Sequence, residues 1–232
     1  SDPEKPSIRY ESITARGIDG DKNLRPGDTI EVQLAFFNYL ATAENLSITM
    51  EVPDNLAPFA EMLESSRVIG QVGSDTLFFP AEPFKLVLTE NLPTDFDLSF
   101  RLSYVDSLTT YSDFEYISLE TNISYLDISD NFLHTSITSR GGIGWNDFVY
   151  QEQGQGVSYQ GRANALFEAG FMLGASTTQV FDRVRNRVGR DNDFRILEPL
   201  LRREGQADFE AIGRFDDTNV GTSLGLEITH EA

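Results

Sequence analysis

The 232-residue sequence contains no cysteine and only two histidines. Without cysteine, disulfide bonds and thiolate metal sites are excluded, and two histidines with no His-x-x-x-His pair leave little for a zinc site. No run approaches the roughly 18 consecutive apolar residues that a membrane-spanning helix needs. Residues 1–6 are polar and do not form an apolar signal segment. We therefore expect that a targeting segment has been removed or that the chain is part of a longer protein.

Positive charge is also scarce, with 18 Lys and Arg against 37 Asp and Glu and a formal net charge of -19. Nucleic-acid binding requires clustered positive charge, and an anionic membrane surface attracts basic segments. Both kinds of partner are therefore disfavoured. An acidic chain of this kind favours solubility, cation binding or a basic partner.

The composition changes after Asn122. Residues 1–122 contain 8 basic and 21 acidic side chains, whereas residues 123–232 contain 10 and 16. All three lysines lie in the first part, and every basic residue of the second part is Arg. This change predicts two domains, 1–122 and 123–232.

Apolar and polar residues alternate in short runs through residues 1–122, as in half-buried strands. The runs predict strands near 7–16, 28–38, 45–52, 66–72, 84–89, 96–104 and 113–121. Seven short strands at this spacing predict an immunoglobulin-like β-sandwich. Between them, residues 56–65 are compatible with one helical turn. The alternating residues predicted to form the core are Leu34, Phe36, Leu46, Ile48, Met50, Phe84, Leu86, Leu88, Leu98, Phe100 and Leu102.

The second domain is richer in glycine and arginine, and it predicts a second β-sandwich-type region. Strands are expected at 132–138, 165–175, 178–184, 207–215 and 223–230. Tight turns are expected at Gly141–Gly144 and at Gly154–Gly156. Only 196–203 has helical spacing, with Leu197, Leu200 and Leu201 on one face. The predicted fold class is all-β, and because an open apolar strand at the end of the chain is an unprotected edge, we expect the natural chain to continue and the second domain to be incomplete.

Several turn and strand motifs carry a resemblance to a known class of module. In the first domain they are Asp19-Gly-Asp-Lys-Asn23, Pro26-Gly-Asp28, Asn38 and Ala43-Glu-Asn-Leu46; in the second they include Gly141-Gly-Ile-Gly144 and Leu166-Phe-Glu-Ala-Gly170. The chain resembles the immunoglobulin-like modules, with adjoining β-rich regions, that follow catalytic domains in secreted Bacteroidota-type proteins, often subtilisin-like peptidases. The resemblance implies an extracellular or cell-surface location and an accessory role beside an enzyme.

The acidic turn before the second predicted strand is a candidate calcium site. Asp19, Asp21 and Asn23 alternate as the first oxygen ligands of a calcium loop do, and Asp28 could add a fourth group. The EF-hand pattern requires Gly at its sixth position and Glu at its twelfth, where this chain has Leu24 and Ile30. Two interpretations stay open, a solvated turn and a turn that binds Ca²⁺.

Aromatic residues around the glycine turns of the second domain are a candidate ligand site. They are Trp145, Phe148, Tyr150 and Tyr159. Aromatic faces on a β-sandwich can stack on sugar rings, so Trp145, Tyr150 and Tyr159 could bind carbohydrate or a surface protein. The alternative is that they pack in the core or between the two domains.

Catalytic patterns are weak. Gly221-Thr-Ser-Leu-Gly225 fits the string of a nucleophile elbow, but an elbow requires a following helix, and here a strand pattern follows. We therefore predict no enzymatic activity for this segment. The predicted function is a non-catalytic accessory segment or spacer that positions or stabilises neighbouring domains of the same exported bacterial protein. The alternative is a carbohydrate-binding or surface-protein-binding module.

Overall fold

The computed structural model describes residues 2–130, 132–146, 153–183, 193–203, 209–218 and 224–231. Across these residues the structure consists of antiparallel β-sheets with no α-helix, which confirms the all-β prediction. No helix in the described ranges is long and apolar enough to cross a membrane. The chain divides into two compact units, Ser1–Ile123 and Ser124–Ala232.

The first unit contains nine strands and a single turn of 3-10 helix (Asp54–Leu56). The strands are β1 (Ile8–Gly17), β2 (Thr29–Asn38), β3 (Ala43–Glu51), β4 (Ala60–Glu64), β5 (Ser66–Val72), β6 (Thr76–Phe78), β7 (Phe84–Leu88), β8 (Phe96–Asp106) and β9 (Tyr111–Thr121).

These strands form two antiparallel sheets that enclose one core. One sheet has the order β1-β2-β7-β4, with β6 also paired to β2, and the other has the order β5-β3-β8-β9. The two orders correspond to the A-B-E-D and C′-C-F-G sheets of an immunoglobulin-like sandwich. The order along the chain departs from that pattern, because β4, beside β7, comes before β5, beside β3.

The core prediction for this unit is confirmed. All eleven residues predicted from alternation are fully buried in one continuous cluster between the sheets. Phe36 stacks on Phe78, with ring centroids 5.6 Å apart, and meets the ring of Tyr104 edge-on at 5.8 Å. Full burial of such a side chain stabilises the fold by roughly 1.5–3 kcal/mol, so this cluster is the main support of the unit.

The prediction of a helical turn within residues 56–65 is wrong. The 3-10 turn lies earlier, at Asp54–Leu56, and the following residues form β4, which pairs with β7. Burial accounts for the strand, because alternation places Ala60 and Met62 towards the core cluster while Glu61 is exposed. The short strand β6 was also missed.

Two buried polar side chains hold the turns of this unit together. Asn38, fully buried, donates to the carbonyl oxygens of Ala41 and Gly73 and accepts from the amide of Ser7. Asp106, 1% exposed, accepts four backbone N–H bonds, including those from Glu44 at 2.7 Å and from Leu108 at 3.0 Å. Burial alone would raise the pKa of Asp106, but these amides together hold it below its ordinary value.

Strand β9, at the edge of one sheet, is joined by side chains to β1, at the edge of the other sheet. We call this contact, between residues 8–10 and residues 111–115, the edge seam. The hydroxyl of Tyr111 accepts from the amide of Ile8 at 3.0 Å. The carboxylate of Asp113 accepts from the guanidinium of Arg9 at 2.7 Å. Burial opposes ionisation of Asp113, yet the bond from Arg9 and its charge keep the pKa of Asp113 below its ordinary value.

Glu115 forms the inner part of the edge seam. It accepts from the amide of Tyr10 and from the hydroxyl of the buried Tyr104. Burial raises the pKa of Tyr104 far above its usual range, and the bond to Glu115 raises it further, so this hydroxyl stays protonated and donates. Inward-facing charged groups on an edge strand discourage pairing with another chain. Here they also connect the two sheets.

The described residues of the second unit form ten short strands. They are β10 (Tyr125–Asp130), β11 (Leu133–Thr138), β12 (Gly142–Gly144), β13 (Ser158–Tyr159), β14 (Glu168–Gly170), β15 (Met172–Ser176), β16 (Gln179–Asp182), β17 (Arg195–Arg202), β18 (Ala211–Asp216) and β19 (Glu227–Glu231).

Three antiparallel sheets organise these strands. They have the orders β10-β11-β12-β14, with β13 paired to β11, then β15-β16, and β17-β18-β19. Ile128 and Ile137 of the first sheet pack against Leu200 and Ala211 of the third, so two sheets face each other as in a sandwich. The amide of Leu200 donates to Ser139 at 2.9 Å and adds a polar link between those layers.

The predicted helix at 196–203 is wrong, because the residues form β17 and pair with β18. Leu200 is buried, while Leu197 is 36% exposed. The predicted turn at Gly141–Gly144 is only partly right. Gly141 follows a turn and has a φ of +77°, but Gly142–Gly144 forms β12 between β11 and β14.

Candidate functional site

The acidic segment after β1 is held by its own side chains. Asp19 Oδ1 accepts from the amide of Asp21 at 3.0 Å, and Asp21 Oδ1 accepts from the amide of Asn23 at 2.9 Å. In each case an Asp side chain bonds the backbone two residues ahead, which is an Asx turn. The amide of Gly17 donates to the carbonyl oxygen of Asp21 at 2.7 Å and closes the loop. Two Asx turns in series therefore account for the alternating Asp-x-Asp-x-Asn spacing.

Asp28 belongs to the next turn. The amide of Asp28 donates to the carbonyl oxygen of Arg25 at 3.1 Å, across Pro26 and Gly27. Gly27 has a φ of +86°, as the third residue of a type II turn requires, and Pro26 supplies the preset φ before it. The carboxylate of Asp28 accepts from the amide of Arg25 at 2.7 Å, so it closes its own turn.

The side chains of Asp19, Asp21 and Asp28 thus each have a place in a backbone turn. The side chain of Asn23 makes no hydrogen bond within the described part of the chain. In the described ranges, no group of three or more His, Cys, Asp or Glu side chains is arranged to hold a metal ion. Each of Asp19, Asp21 and Asp28 accepts a hydrogen bond from a backbone amide at one of its two carboxylate oxygens. Calcium at this turn stays a prediction.

The aromatic residues proposed as a ligand platform lie in different surroundings. Trp145 is partly buried and faces Phe167, with ring centroids 6.4 Å apart, and among the described residues its buried indole Nε1 has no hydrogen-bond partner. Tyr159 is 53% exposed and contacts Phe132 edge-on at 6.1 Å. No ring contact joins Trp145 to Tyr159. Tyr150 and Phe148 lie outside the described residues.

The candidate nucleophile elbow also falls mostly outside the described part. Gly221, Thr222 and Ser223 are not described, and the chain resumes at Leu224. The amide of Leu224 donates to the carboxylate of Asp217, and β19 follows at Glu227. An elbow requires a helix at this point, so the strand argues against a nucleophile role for Ser223.

The first unit has an exposed aromatic surface that was not predicted from the sequence. We call it the outer face, meaning the solvent side of the β5-β3-β8-β9 sheet. Phe114 and Tyr116 on β9 are 52% and 62% exposed, and their rings meet edge-on at 6.0 Å. Val68 on β5 is 83% exposed, and serines and threonines fill most positions between. The face therefore consists mainly of short polar side chains, and the rings of Phe114 and Tyr116 project beyond them.

A row of three side chains crosses the outer face. The strand register places Glu51, Arg101 and Tyr116 side by side on β3, β8 and β9. Arg101 donates to Glu51 at 3.2 Å, and its guanidinium carbon lies 4.8 Å from the ring centroid of Phe114. The cation of Arg101 is thus already paired with one carboxylate and one aromatic ring.

This row borders a shallow cleft of about 580 Å³, which we call the Tyr116 cleft. Its polar lining comes from Glu51, Asp54, Arg101 and Tyr116. Its apolar lining includes Met50, Val52, Ala60 and Met62, where the sandwich opens between the end of β3 and the start of β4. Apolar walls with a few polar groups are typical of binding sites.

The sequence did contain a signal for this surface. Phe114 and Tyr116 alternate with Asp113 and Glu115, and apolar residues in such a pattern ordinarily face a core. The structure has the opposite phase, because Asp113 and Glu115 face inwards to form the edge seam. Ile117, which lies on the same side of β9 and is buried in the core, favours the observed phase, and the bonds to β1 hold the two carboxylates in it.

Comparison with models of protein families, with curated proteins and with solved structures finds no match to this chain.

Proposed function

We propose that this chain is a non-catalytic accessory segment of an exported bacterial multidomain protein, in which the first unit acts as a rigid spacer beside a neighbouring domain. The observation that carries the proposal is the edge seam. A sandwich whose two sheets share a continuous core and are also joined at an edge by Tyr111, Asp113 and Glu115 resists sliding of one sheet over the other.

Rigidity suits a spacer for a physical reason. A flexible linker lets an attached domain sample many distances, whereas a packed sandwich transmits position because its interior is close-packed. The resemblance to modules that follow catalytic domains in secreted proteins supports the same role, and it also supports a location outside the cell or at its surface.

Hydrogen exchange of the purified chain tests the rigidity. We expect the amides of Ile8 and Tyr10 to exchange as slowly as core amides of β8, since opening them requires the seam to break. Rapid exchange at Ile8 and Tyr10, on the scale of frayed chain ends, would remove the support for a rigid spacer.

An activity assay tests the non-catalytic part of the proposal. The purified chain is incubated with casein, with chromogenic peptides and with chromogenic glycosides, and Ser223→Ala serves as the matched control. We expect no turnover by either protein. Hydrolysis that disappears in Ser223→Ala would overturn the proposal and support the hypothesis that Ser223 is a nucleophile.

A second candidate function is binding of carbohydrate or of a surface protein by the second unit. The observation that favours it is the exposed edge-on pair of Tyr159 and Phe132. A glycan array probed with the chain, with Tyr159→Ala and with Trp145→Ala would test it. Binding lost in Tyr159→Ala but kept in Trp145→Ala supports the exposed pair, and no binding across the array counts against the carbohydrate form of this function.

A further inference from the structure

We propose that the Tyr116 cleft binds lysine or arginine side chains from a basic segment of a protein partner. This role goes beyond that of a spacer, since it gives the outer face a ligand class of its own. The proposal rests on the chemistry of the cleft lining, on the unpaired groups in it, and on the charge of the unit that carries it.

The cleft offers the three features that a long cationic side chain requires. The aliphatic stem of Lys or Arg can lie on apolar groups such as Val52 and Met62, while its charged end remains near water. The end can then meet the ring of Tyr116 and the carboxylates of Glu51 and Asp54.

Two of these groups are available to a ligand. Across the described residues, the carboxylate of Asp54 makes no ion pair or side-chain hydrogen bond, and the hydroxyl of Tyr116 makes no hydrogen bond. Both side chains are exposed. Arg101, the cation of the cleft, is occupied by Glu51 and Phe114. A partner cation would therefore meet the exposed ring of Tyr116, which contacts Phe114 edge-on, and the exposed carboxylate of Asp54.

The outer face already contains one example of the proposed contact. Arg101 lies over Phe114 at 4.8 Å and bonds Glu51 at 3.2 Å, so one guanidinium is held by a ring and a carboxylate together. Tyr116 and Asp54 present the same two kinds of group next to it without an internal cation. The geometry points to a cation supplied from outside.

Charge complementarity favours a basic partner over a neutral glycan. Residues 1–122 carry 21 acidic and 8 basic side chains, and the whole chain has a net charge of -19. Such a field draws a basic segment towards the cleft and speeds its association, whereas it does nothing for an uncharged sugar. Each exposed cation–π contact or ion pair changes affinity only about two- to fivefold, so several basic residues must act together.

The test uses the full chain and a fluorescein-labelled peptide, Gly-Arg-Leu-Lys-Gly-Arg-Leu-Lys. Its counterpart carries Glu in place of each Arg and Lys, and a neutral cello-oligosaccharide represents glycans. Fluorescence anisotropy gives the affinities, and amide NMR shifts locate the contact. We expect binding of the basic peptide only, weaker as salt rises from about 20 to 300 mM because the Debye length shortens, with shifts at Glu51, Asp54 and Tyr116.

Matched variants separate the cleft from diffuse attraction. Tyr116→Ser and Asp54→Asn should each weaken peptide binding about two- to fivefold, and Tyr116→Phe, which keeps the ring, should stay near the wild type. Asp97→Asn removes the same charge from an exposed position elsewhere on β8 and should change affinity by less than about 1.5-fold. Unchanged thermal unfolding of each variant shows that the fold is intact.

Three results would overturn the proposal. The first is no binding of the basic peptide at low salt. The second is an equal loss in Asp97→Asn and Asp54→Asn, which would mean that the acidic surface as a whole attracts the peptide. The third is binding of the neutral oligosaccharide that Tyr116→Ser abolishes, which would assign the cleft to glycans. None of these results bears on the rigidity measured at the edge seam.

Discussion

Oε1 of Glu115, on the last strand of the first unit, accepts a hydrogen bond from the amide of Tyr10, on its first strand, at 2.7 Å. The two residues are 105 positions apart in the chain. The same oxygen accepts from the hydroxyl of Tyr104 in the core. One inward-facing carboxylate thus satisfies an edge amide and a buried hydroxyl together.

Replacing Glu115 with Ala should destabilise the first unit by roughly 1–3 kcal/mol, because a part-buried amide and a buried hydroxyl both lose their acceptor. Urea unfolding followed by tyrosine fluorescence measures the loss. Glu61→Ala is the matched control, since Glu61 is an exposed strand carboxylate without a described hydrogen bond. If both variants lose the same stability, the seam contributes nothing of its own.

Asp106 should make the stability of the first unit dependent on pH. Its folded pKa lies below its ordinary value, so its contribution is complete above the unfolded pKa of about 3.9 and is lost as the pH falls through the folded pKa. At pH 7, Asp106→Asn should cost roughly 1–3 kcal/mol, since an amide group cannot accept all four N–H bonds.

Urea unfolding of both proteins across a pH series checks this expectation. The difference between wild type and Asp106→Asn should narrow below about pH 4, where Asp106 begins to protonate in the unfolded wild-type chain but not yet in the folded one. Other carboxylates titrate in both proteins and cancel in the difference. A gap that stays constant down to the lowest pH would contradict an ionised Asp106.

Gly144→Ala should destabilise the second unit more than a strained backbone alone would. Gly144 has a φ of +98°, and a Cβ built there would lie 2.3 Å from the carbonyl oxygen of Phe167. Backbone strain costs roughly 1–3 kcal/mol, and the clash with the backbone of the neighbouring segment adds to it. Gly161→Ala is the control, because Gly161 has a φ of +66° with open space around it. Equal losses of unfolding free energy in the two variants would show that the close approach does not matter.

Calcium binding by the acidic turn predicts a rise in melting temperature when Ca²⁺ is added and its reversal by a chelator. A tenfold excess over the dissociation constant stabilises by about 1.4 kcal/mol. Asp21→Asn should abolish the rise, since it removes a charged ligand but keeps an oxygen that can accept from the amide of Asn23. A melting temperature that is the same with Ca²⁺ and with chelator would reject calcium at Asp19, Asp21, Asn23 and Asp28.

Features that depend on neighbours in sequence could be predicted from sequence alone. Period-two alternation placed seven of the nine described strands of the first unit, and the eleven predicted core residues are fully buried, because burial of one face imposes that period. The Pro26-Gly27 turn followed likewise from the backbone preferences of those two residues.

Features that depend on distant partners could not be predicted. Leu197, Leu200 and Leu201 have helical spacing, yet they lie in β17, where the pairing with β18 is irregular at two places and shifts the side-chain phase. On β9, Phe114 and Tyr116 favour one orientation of the strand and Ile117 favours the other, so hydrophobicity alone does not decide which side faces the core. Ile117 is buried, and Asp113 and Glu115 face inwards on the same side, since β1 presents Arg9 and the amide of Tyr10 to them.

The sequence by itself thus determined the all-β class, seven strands and the core of the first unit, and its Pro26-Gly27 turn, all of which follow from local burial and backbone geometry. The tertiary structure alone decided which face of β9 carries the aromatic residues and where the Tyr116 cleft opens. The physical reason is that the phase of an edge strand is set by hydrogen-bond partners far away in the chain, and the alternation within that strand is compatible with either face.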